Sequence, residues 1–444
     1  MFKFKKAAIL VFSVVLLLPH LAQSQDLLTL EEAIRIALQH NYDIRIADTQ
    51  DEIASNNATR GNAGFYPTIT GRAGRDFSDN KTRNQFENEP AREIDNLRNN
   101  STNASVQLAW TVFDGGRMFI AHNRLLALEK SGQLLTKATV ENTVADISDA
   151  YYEVVRQARL IDALEEAIEI SQQRVTITQE QVNVGVSAKV EVLRAQVDLN
   201  ADQSELLRQQ EALQNAKINL NQLLGRNPTI GFVSTDTIIV DKQLEYQVAN
   251  ANLIEANPSL QRLQLERDIA QFDLRAARAL RLPTIGVTGG YGYNQSLQDP
   301  VIFGNTVGTN ESQRQGFNYG LSLSLPIFNG FNINRQVQNS RIGIETTQLQ
   351  YAQEQNRLES ELARAYSQYT NRLKLLALEE ANLKLADENA NIALERYRLG
   401  LLTAIELREA QRNQLIATNR LINIQYEAKA AEVEIKRLTS ELLQ

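Results

Sequence analysis

Every seventh residue from Val140 to Val182 is apolar: Val140, Ile147, Val154, Ile161, Ile168, Val175 and Val182, with Val144, Tyr151 and Ala158 filling the four-residue offset. A seven-residue apolar period held this long predicts a helix that supercoils left-handedly against neighbours, because the repeat falls slightly short of two full helical turns. No proline interrupts residues 117 to 184, so the predicted rod is roughly 100 Å long. Gly185 ends it, and a return helix is expected from about Lys189 to Leu224, closed by Gly225 and Pro228.

Ahead of the rod, Thr29-Leu30-Glu31-Glu32 has capping-box spacing, and Leu30, Ala33, Ile34, Ala37 and Leu38 follow at helical period. That helix is expected to reach about Asn62 with a break near Asn41. Pro67 stops it and the period becomes two: Ile69, Gly71, Ala73, Arg75 and Phe77 alternate with Thr68, Thr70, Arg72, Gly74 and Asp76, the pattern of a strand. Residues 80 to 100 are polar and aperiodic and read as a loop. A second alternation sets Val106, Leu108, Trp110 and Val112 against Gln107, Ala109 and Thr111, before Asp114-Gly115-Gly116 turns the chain into the rod.

Residues 226 to 250 read as a mixed linker or equatorial segment, after which the plan recurs. Asn257, Pro283, Phe328-Asn329-Gly330, Ala365-Tyr366, Gly400 and Glu406 answer Asn41, Pro67, Phe113-Asp114-Gly115, Ala150-Tyr151, Gly185 and Glu191 at an offset of 216 for the first two and 215 for the rest. So steady an offset reads as duplication. Residues 25–225 form the first repeat and 251–444 the second: a helix from about Leu253 to Leu282, two strands, a long helix from about Asn332 to Leu399, and a return helix to Leu443. Leu362, Tyr369, Leu376, Leu383, Ala390 and Tyr397 carry the stripe of the second rod.

The second strand pair alternates most cleanly. Phe317, Tyr319, Leu321, Leu323 and Leu325 face away from Asn318, Gly320, Ser322 and Ser324, and Ile285, Val287, Tyr291 and Tyr293 away from Thr284, Gly286, Thr288, Gly290 and Gly292. With Trp110, Tyr291, Tyr293, Phe317 and Tyr319 gathered near one end, the pattern fits ten-residue strands of an outer-membrane barrel with an aromatic girdle. A soluble sheet with one buried face also alternates. In a membrane, four strands cannot close, since the smallest barrels have about eight and lipid tolerates no open edge. Several chains must then share one barrel: two copies give eight strands and a filled interior, three give twelve and a lumen. The four long helical segments per chain would likewise close into a hollow cylinder.

Composition narrows the setting. The first 24 of 444 residues hold Lys3, Lys5 and Lys6, an apolar run from Ala7 to Leu18, then Pro19 and Ala22-Gln23-Ser24, the parts of a secretory signal too short to span a bilayer. Its removal moves the net charge from −7 to −10, which argues against nucleic acid as a partner. There is no cysteine, so an exported chain of this length must be stabilised by burial or assembly, without disulfides or an N-terminal lipid. No later segment has the apolar length of a membrane helix. The histidines outside the signal are His40 and His122, and no HExxH, phosphate loop or cysteine cluster is present. An enzyme is not expected, nor a cofactor.

Two homologous halves, each helix, two strands, long helix, glycine tip and return helix, resemble the TolC-like outer membrane efflux family over nearly the whole mature chain. Local echoes are Leu30-Glu31-Glu32-Ala33 ahead of Asn41, Asn257-Pro258-Ser259-Leu260, Leu282-Pro283-Thr284-Ile285, Phe113-Asp114-Gly115-Gly116, Leu223-Leu224-Gly225, and the tips Val184-Gly185-Val186-Ser187 and Leu399-Gly400-Leu401-Leu402. Asn41-Tyr42 departs from the family's usual Asn-Pro. The resemblance implies an α+β membrane protein: a homotrimeric twelve-stranded barrel in outer-membrane lipid, continued by a helical coiled-coil barrel that meets a periplasmic adaptor and an inner-membrane pump. Export of small molecules or polypeptides is then the expected function; a coiled-coil surface fibre, or a non-gated porin, is the competing expectation.

The resemblance also assigns roles at the tips. Glu406 and Glu409, at i and i+3, share a helix face and fall on the family's acidic constriction, where three copies would gather six carboxylates that raise one another's pKa and could hold a cation. A solvated helix face is the simpler reading. Glu191 falls on a position that latches the closed mouth to a tyrosine and an arginine; Tyr397 fills the tyrosine place, Leu402 replaces the arginine, and Arg194 can neutralise Glu191 locally. Val184, Gly185, Val186, Leu399, Gly400 and Leu401 would form adaptor-docking grooves, glycine allowing close approach of a partner helix; a simple helix-terminal glycine is the alternative.

Overall fold

The computed structural model describes residues 26–85, 87, 90–234, 236–303 and 306–443; the expected signal, 1–24, lies outside them. The chain forms two compact units, one from the residues up to Ala37 with Ala150–Ile239 and Asn382–Tyr426, the other from Leu38–Asp149, Val240–Ala381 and Glu427–Gln444.

The elements in chain order are β1 (Asp26–Leu28), α1 (Leu30–His40), α2 (Tyr42–Asn57), β2 (Thr68–Asn84), β3 (Arg92–Phe113), α3 (Arg117–Asn183), α4 (Lys189–Leu223), β4 (Phe232–Ser234), α5 (Tyr246–Ala256), α6 (Pro258–Ala279), β5 (Thr284–Phe303), β6 (Thr306–Ser324), α7 (Asn332–Arg398) and α8 (Ala404–Leu438). The rods α3 and α7 each have 67 residues and the return helices α4 and α8 each have 35. No described helix is long and apolar enough to cross a membrane.

Asparagines punctuate the shorter helices. Asn41 Oδ1 accepts from the amides of Asp43 and Ile44 at 2.8 and 3.1 Å, so α1 ends and α2 starts there. Asn257 Oδ1 does the same for Ser259 and Leu260 at 3.0 and 3.4 Å, with Pro258 in the first turn. The second pre-strand helix is therefore not one piece from Leu253; it starts at Tyr246 and breaks at Asn257.

Nor is the stretch 226–250 simply a linker. Phe232–Ser234 pairs in parallel with Asp26–Leu28, and the buried Tyr151 hydroxyl lies 2.7 Å from Asp236 Oδ2 and 2.9 Å from the Leu28 carbonyl. A tyrosine of the heptad stripe thus pins this segment to the rod. In the other unit, the Tyr369 hydroxyl bonds the Asp241 carbonyl and Glu432 accepts the Asp241 amide at 2.9 Å.

The four long strands form one antiparallel sheet in the order β2-β3-β5-β6. Its register puts Ile69 opposite Leu108, Val106 opposite Tyr291, Tyr291 opposite Phe317 and Val287 opposite Leu321, which collects the apolar alternates on one face. That face is exposed: Tyr319 is 91%, Phe317 83% and Leu321 76% accessible. Among the described residues of this sheet, the apolar face is not buried within the chain.

The strands are about twice the expected ten residues, at 17 to 22. Along β5 the closely spaced apolar outward positions run from Ile285 to Tyr293. Those nine residues span about 30 Å, or roughly 23 Å once tilted, the height of a barrel's lipid-facing band. Beyond them the sheet continues in mostly polar sequence broken by single apolar residues such as Leu97 and Leu297, and the loop expected over residues 80 to 100 is a hairpin. Asp79 pairs with Arg98 and Arg83 with Glu93 across the strands, and Lys81 bridges Glu93 and Asp95 at 3.3 and 3.0 Å. Cross-strand charge pairs hold together a segment that has no apolar period.

Candidate functional site

The α3–α4 and α7–α8 tips end in the same backbone device. Gly185 and Gly400 take φ of +78° and +74°. Each glycine amide bonds three residues back, to Val182 and Tyr397, and the following amides, of Val186 and Leu401, reach the Gln181 and Arg396 carbonyls at 2.9 Å. This is a Schellman closure, and it accounts for the glycines. It does not account for their neighbours: Val184, Val186, Leu399 and Leu401 are between 66% and 75% exposed. Four aliphatic side chains on two hairpin tips are offered to water.

Glu406 and Glu409 lie together on the wall of one groove, with Asn389, Arg396 and Asn413. Glu406 also completes a capping box at the start of α8: its carboxylate accepts the Thr403 hydroxyl at 2.7 Å and amide at 2.9 Å, while the Thr403 hydroxyl receives the Glu406 amide at 3.3 Å. The Thr403 hydroxyl and amide, with a smaller contribution from Arg396, hold the Glu406 pKa below its ordinary value. Within the chain these contacts favour the ionised carboxylate.

The two residues expected in the latch take separate partners in the chain. Glu191 accepts from Arg194 Nη1 at 2.8 Å. Tyr397 is buried against Ala393, Leu407 and Ala410, and its hydroxyl meets Thr178 Oγ1 at 2.7 Å. The charged link between the helices is made by residues the sequence pattern had not singled out. Asp198 on α4 accepts from Arg174 Nη2 on α3 at 3.2 Å and pairs with Arg408 on α8. Next to it Asp202 accepts the Ser171 hydroxyl at 2.6 Å. The Arg174 side chain is only 3% exposed, and burial pushes its pKa down. Glu191 shares a groove with this network, walled also by Arg194, Ala195, Ala404 and Ile405.

A signal for the network did exist. At the tip end of α3 the buried positions are Ala163, Leu164, Ser171, Arg174 and Thr178, whereas Ile161, Ile168, Val175 and Val182 are only half-buried. The buried seam keeps a seven-residue spacing there, Ala150, Gln157, Leu164, Ser171 and Thr178, in a register three residues along from Ile147 and Val154, and Arg174 lies between its last two members. Reading that second heptad register would have led to Arg174. Among the described residues no cluster of acidic and histidine side chains suits a metal ion.

Long helical hairpins with exposed aliphatic tips, together with a long-stranded sheet bearing its apolar face outward, define the class of outer-membrane channel proteins. The outer membrane efflux protein family matches residues 33–226 and 251–441, and the chain belongs to that family; it is an outer-membrane protein. It is 25% identical over 408 residues to the protein CyaE of Bordetella pertussis, covering 90% of this chain and 82% of that one. With the outer membrane protein TolC of Escherichia coli it shares 23% identity over 355 residues, 78% of this chain and 70% of TolC. Among solved structures, the outer-membrane channel OprN superposes with a TM-score of 0.72 at 20% identity, covering 93% of this chain and 90% of that one. The Campylobacter jejuni CmeC channel gives 0.72 at 17%, over 93% and 85%.

Proposed function

We propose that three copies of this chain close a twelve-stranded barrel in the outer membrane, and that their helical hairpins form a conduit opening toward the periplasm. Substrates driven by an inner-membrane pump, through a periplasmic adaptor, leave passively by this route, in efflux or in type I secretion. The observation that carries the reading is the sheet: four strands with an exposed apolar band of membrane height, and two edges, β2 and β6, each hydrogen-bonded on one side only. Unpaired edges are not tolerated in lipid, and twelve strands leave a lumen where eight do not. Equal rod and return-helix lengths support two repeats, 25–225 and 251–444, joined through 226–250 behind a signal at 1–24.

The periplasmic mouth of this conduit lies at the tips. Glu406 and Glu409 of three copies form an acidic ring that favours cations. Val184, Gly185, Val186, Leu399, Gly400 and Leu401 receive the adaptor, whose apolar surface would cover the exposed valines and leucines. Glu191 and Tyr397 belong to the latch, with Asp198 supplying the ion pair that Leu402 cannot. A fibre without transport gives no role to an outward apolar band. The test is conductance of the purified protein in a planar bilayer, together with electrophoresis after graded heating. A heat-dissociable trimer with low resting conductance is expected; a soluble monomer that never conducts would overturn the reading.

A further inference from the structure

Two turns of the same build meet different surroundings. After β3 the chain turns through Phe113-Asp114-Gly115, and after β6 through Phe328-Asn329-Gly330; Gly115 and Gly330 take φ of +76° and +63°. The first turn is closely packed: a Cβ added at Gly115 would lie 2.8 Å from both the Ala279 carbonyl oxygen and Leu282 Cβ, in the stretch that leads into β5. At Gly330 an added Cβ would meet nothing within 4 Å. Phe328 is 76% exposed where its counterpart Phe113 is 38%. Phe331, set edge-to-face against Phe328 with ring centroids 5.6 Å apart, is exposed as well. The stretch that leads into β2, Tyr66-Pro67-Thr68-Ile69, corresponds to Leu282-Pro283-Thr284-Ile285, and there Tyr66 is exposed too. Each edge of the sheet therefore carries one half of a contact that its middle shows complete.

We propose that β6 of one copy pairs with β2 of a second copy in the register that β3 and β5 keep within the chain, an inference that rests on the shared-barrel reading and specifies its seam. Within the chain Ala104 faces Tyr293 and Leu108 faces Gly289. Carried forward by 215 residues from β3 and back by 216 from β5, these pairs become Tyr319 opposite the partner subunit's Phe77 and Leu323 opposite the partner subunit's Ala73. Both pairs are apolar and lie on the outward face, and the first sets one aromatic ring against another. Register and turn contact come together. Phe113 sits opposite Ile285 where Gly115 packs on Leu282, so Phe328 opposite the partner subunit's Ile69 brings Gly330 onto the partner subunit's Tyr66. The Phe328 and Phe331 rings then receive that tyrosine. Lipid could cover the rings but cannot bond the free N–H and C=O groups of the strand beside them. Because the two edges differ, the contact is heterologous and closes into a ring rather than a two-fold pair.

The test is a disulfide scan of the full chain in isolated membranes, oxidised with copper phenanthroline and read on boiled, non-reducing gels. The chain has no cysteine of its own, so every cross-link reports an introduced pair. Phe77→Cys is combined in turn with Phe317→Cys, Tyr319→Cys and Leu321→Cys, which are spaced about 7 Å apart along one face of β6. Covalent dimers and trimers should form fastest with Tyr319→Cys, because only directly opposite residues bring Cβ atoms within disulfide reach. A second scan, Ala73→Cys with Leu321→Cys, Leu323→Cys or Leu325→Cys, should peak at Leu323→Cys, and it keeps the register testable if the first set assembles poorly. Tyr66→Ala and Phe331→Ala should each lower the temperature at which the trimer dissociates, and the double variant by less than the two shifts added. A maximum at another position in both scans, or no cross-link in any pair while the heat-dissociable trimer persists, would overturn this seam and leave the channel reading standing. A chain that forms no trimer even without substitutions would remove both.

Discussion

The Tyr397 hydroxyl lies 2.7 Å from Thr178 Oγ1, joining α7 to α3 in a place where both side chains are buried. Thr178 donates its own proton to the Arg174 carbonyl at 2.7 Å, so Tyr397 is the donor across the gap. Tyr397→Phe therefore removes one hydrogen bond and leaves Thr178 with its acceptor. The expected cost is about 1 kcal/mol of stability, with a rise in resting single-channel conductance. Unchanged conductance would remove Tyr397 from the latch.

Asp198→Asn tests the charged link. It removes the carboxylate ion-paired with Arg174, which is nearly inaccessible to water, and leaves only the longer-range charge of Asp202 on α4. Breaking a pair of this kind costs roughly 3–5 kcal/mol when fully buried, and less here because Asp198 is a quarter exposed. A lower melting temperature and more frequent channel opening are expected together. Arg408→Gln should show the second effect more than the first, since Arg408 is 39% exposed.

The outward band gives a third prediction. Leu321 faces away from the polar side of the sheet and sits opposite Val287. Leu321→Arg places a charge in the lipid-facing band, at a cost of about 2–4 kcal/mol near the midplane, and should abolish the heat-dissociable trimer. Ser322→Arg, one residue along on the other face, should leave assembly intact and alter conductance.

The tips can be separated from the pore. Val186→Asp with Leu401→Asp changes side chains that make up none of the buried core. Bilayer conductance should therefore be retained, while export in cells is lost. Loss of both would mean that the tips serve the fold.

Asp149 supplies a pH prediction. Burial, with the charges of Asp146 and Glu434, raises its pKa to about 6, and its Oδ1 is buried without a hydrogen-bond partner. An acid whose folded pKa exceeds its unfolded one stabilises the fold when protonated. That contribution is complete below about pH 4 and is lost as pH rises through 6. Stability should accordingly rise by about 1 kcal/mol between pH 7 and pH 5, and Asp149→Asn should flatten the change. An equal pH response in both proteins would assign it elsewhere.

How much of this was legible in the sequence depended on whether the determining interaction was local. Asn41 and Asn257 cap their helices through amides two and three residues away, and the echo between the halves located both. The glycine tips, the rod ends and the alternating strand faces were equally near-neighbour effects. The hairpin over residues 80 to 100 was missed because Lys81, Glu93 and Asp95 stabilise strands only once register brings them together. Asp198 was missed for the same reason, its partners lying 24 residues before it and 210 after it. In the first rod, the stripe through Ile147 and Val154 gave way to a buried heptad three residues along, at Gln157, Leu164, Ser171 and Thr178. The second rod kept Leu362, Tyr369, Leu376, Ala390 and Tyr397 buried at the same spacing.

The matched lengths of the helices restrict how such a chain can change. Removing one heptad from α3 and α4 alone would withdraw that hairpin tip by about 10 Å and leave its counterpart, with Leu399 and Leu401, protruding by itself. An adaptor contacting both tips would lose half its footing. Growth or shrinkage of the helical region must therefore occur in both halves at once, so a natural variant with a shortened first hairpin should carry an equal deletion some 215 residues downstream.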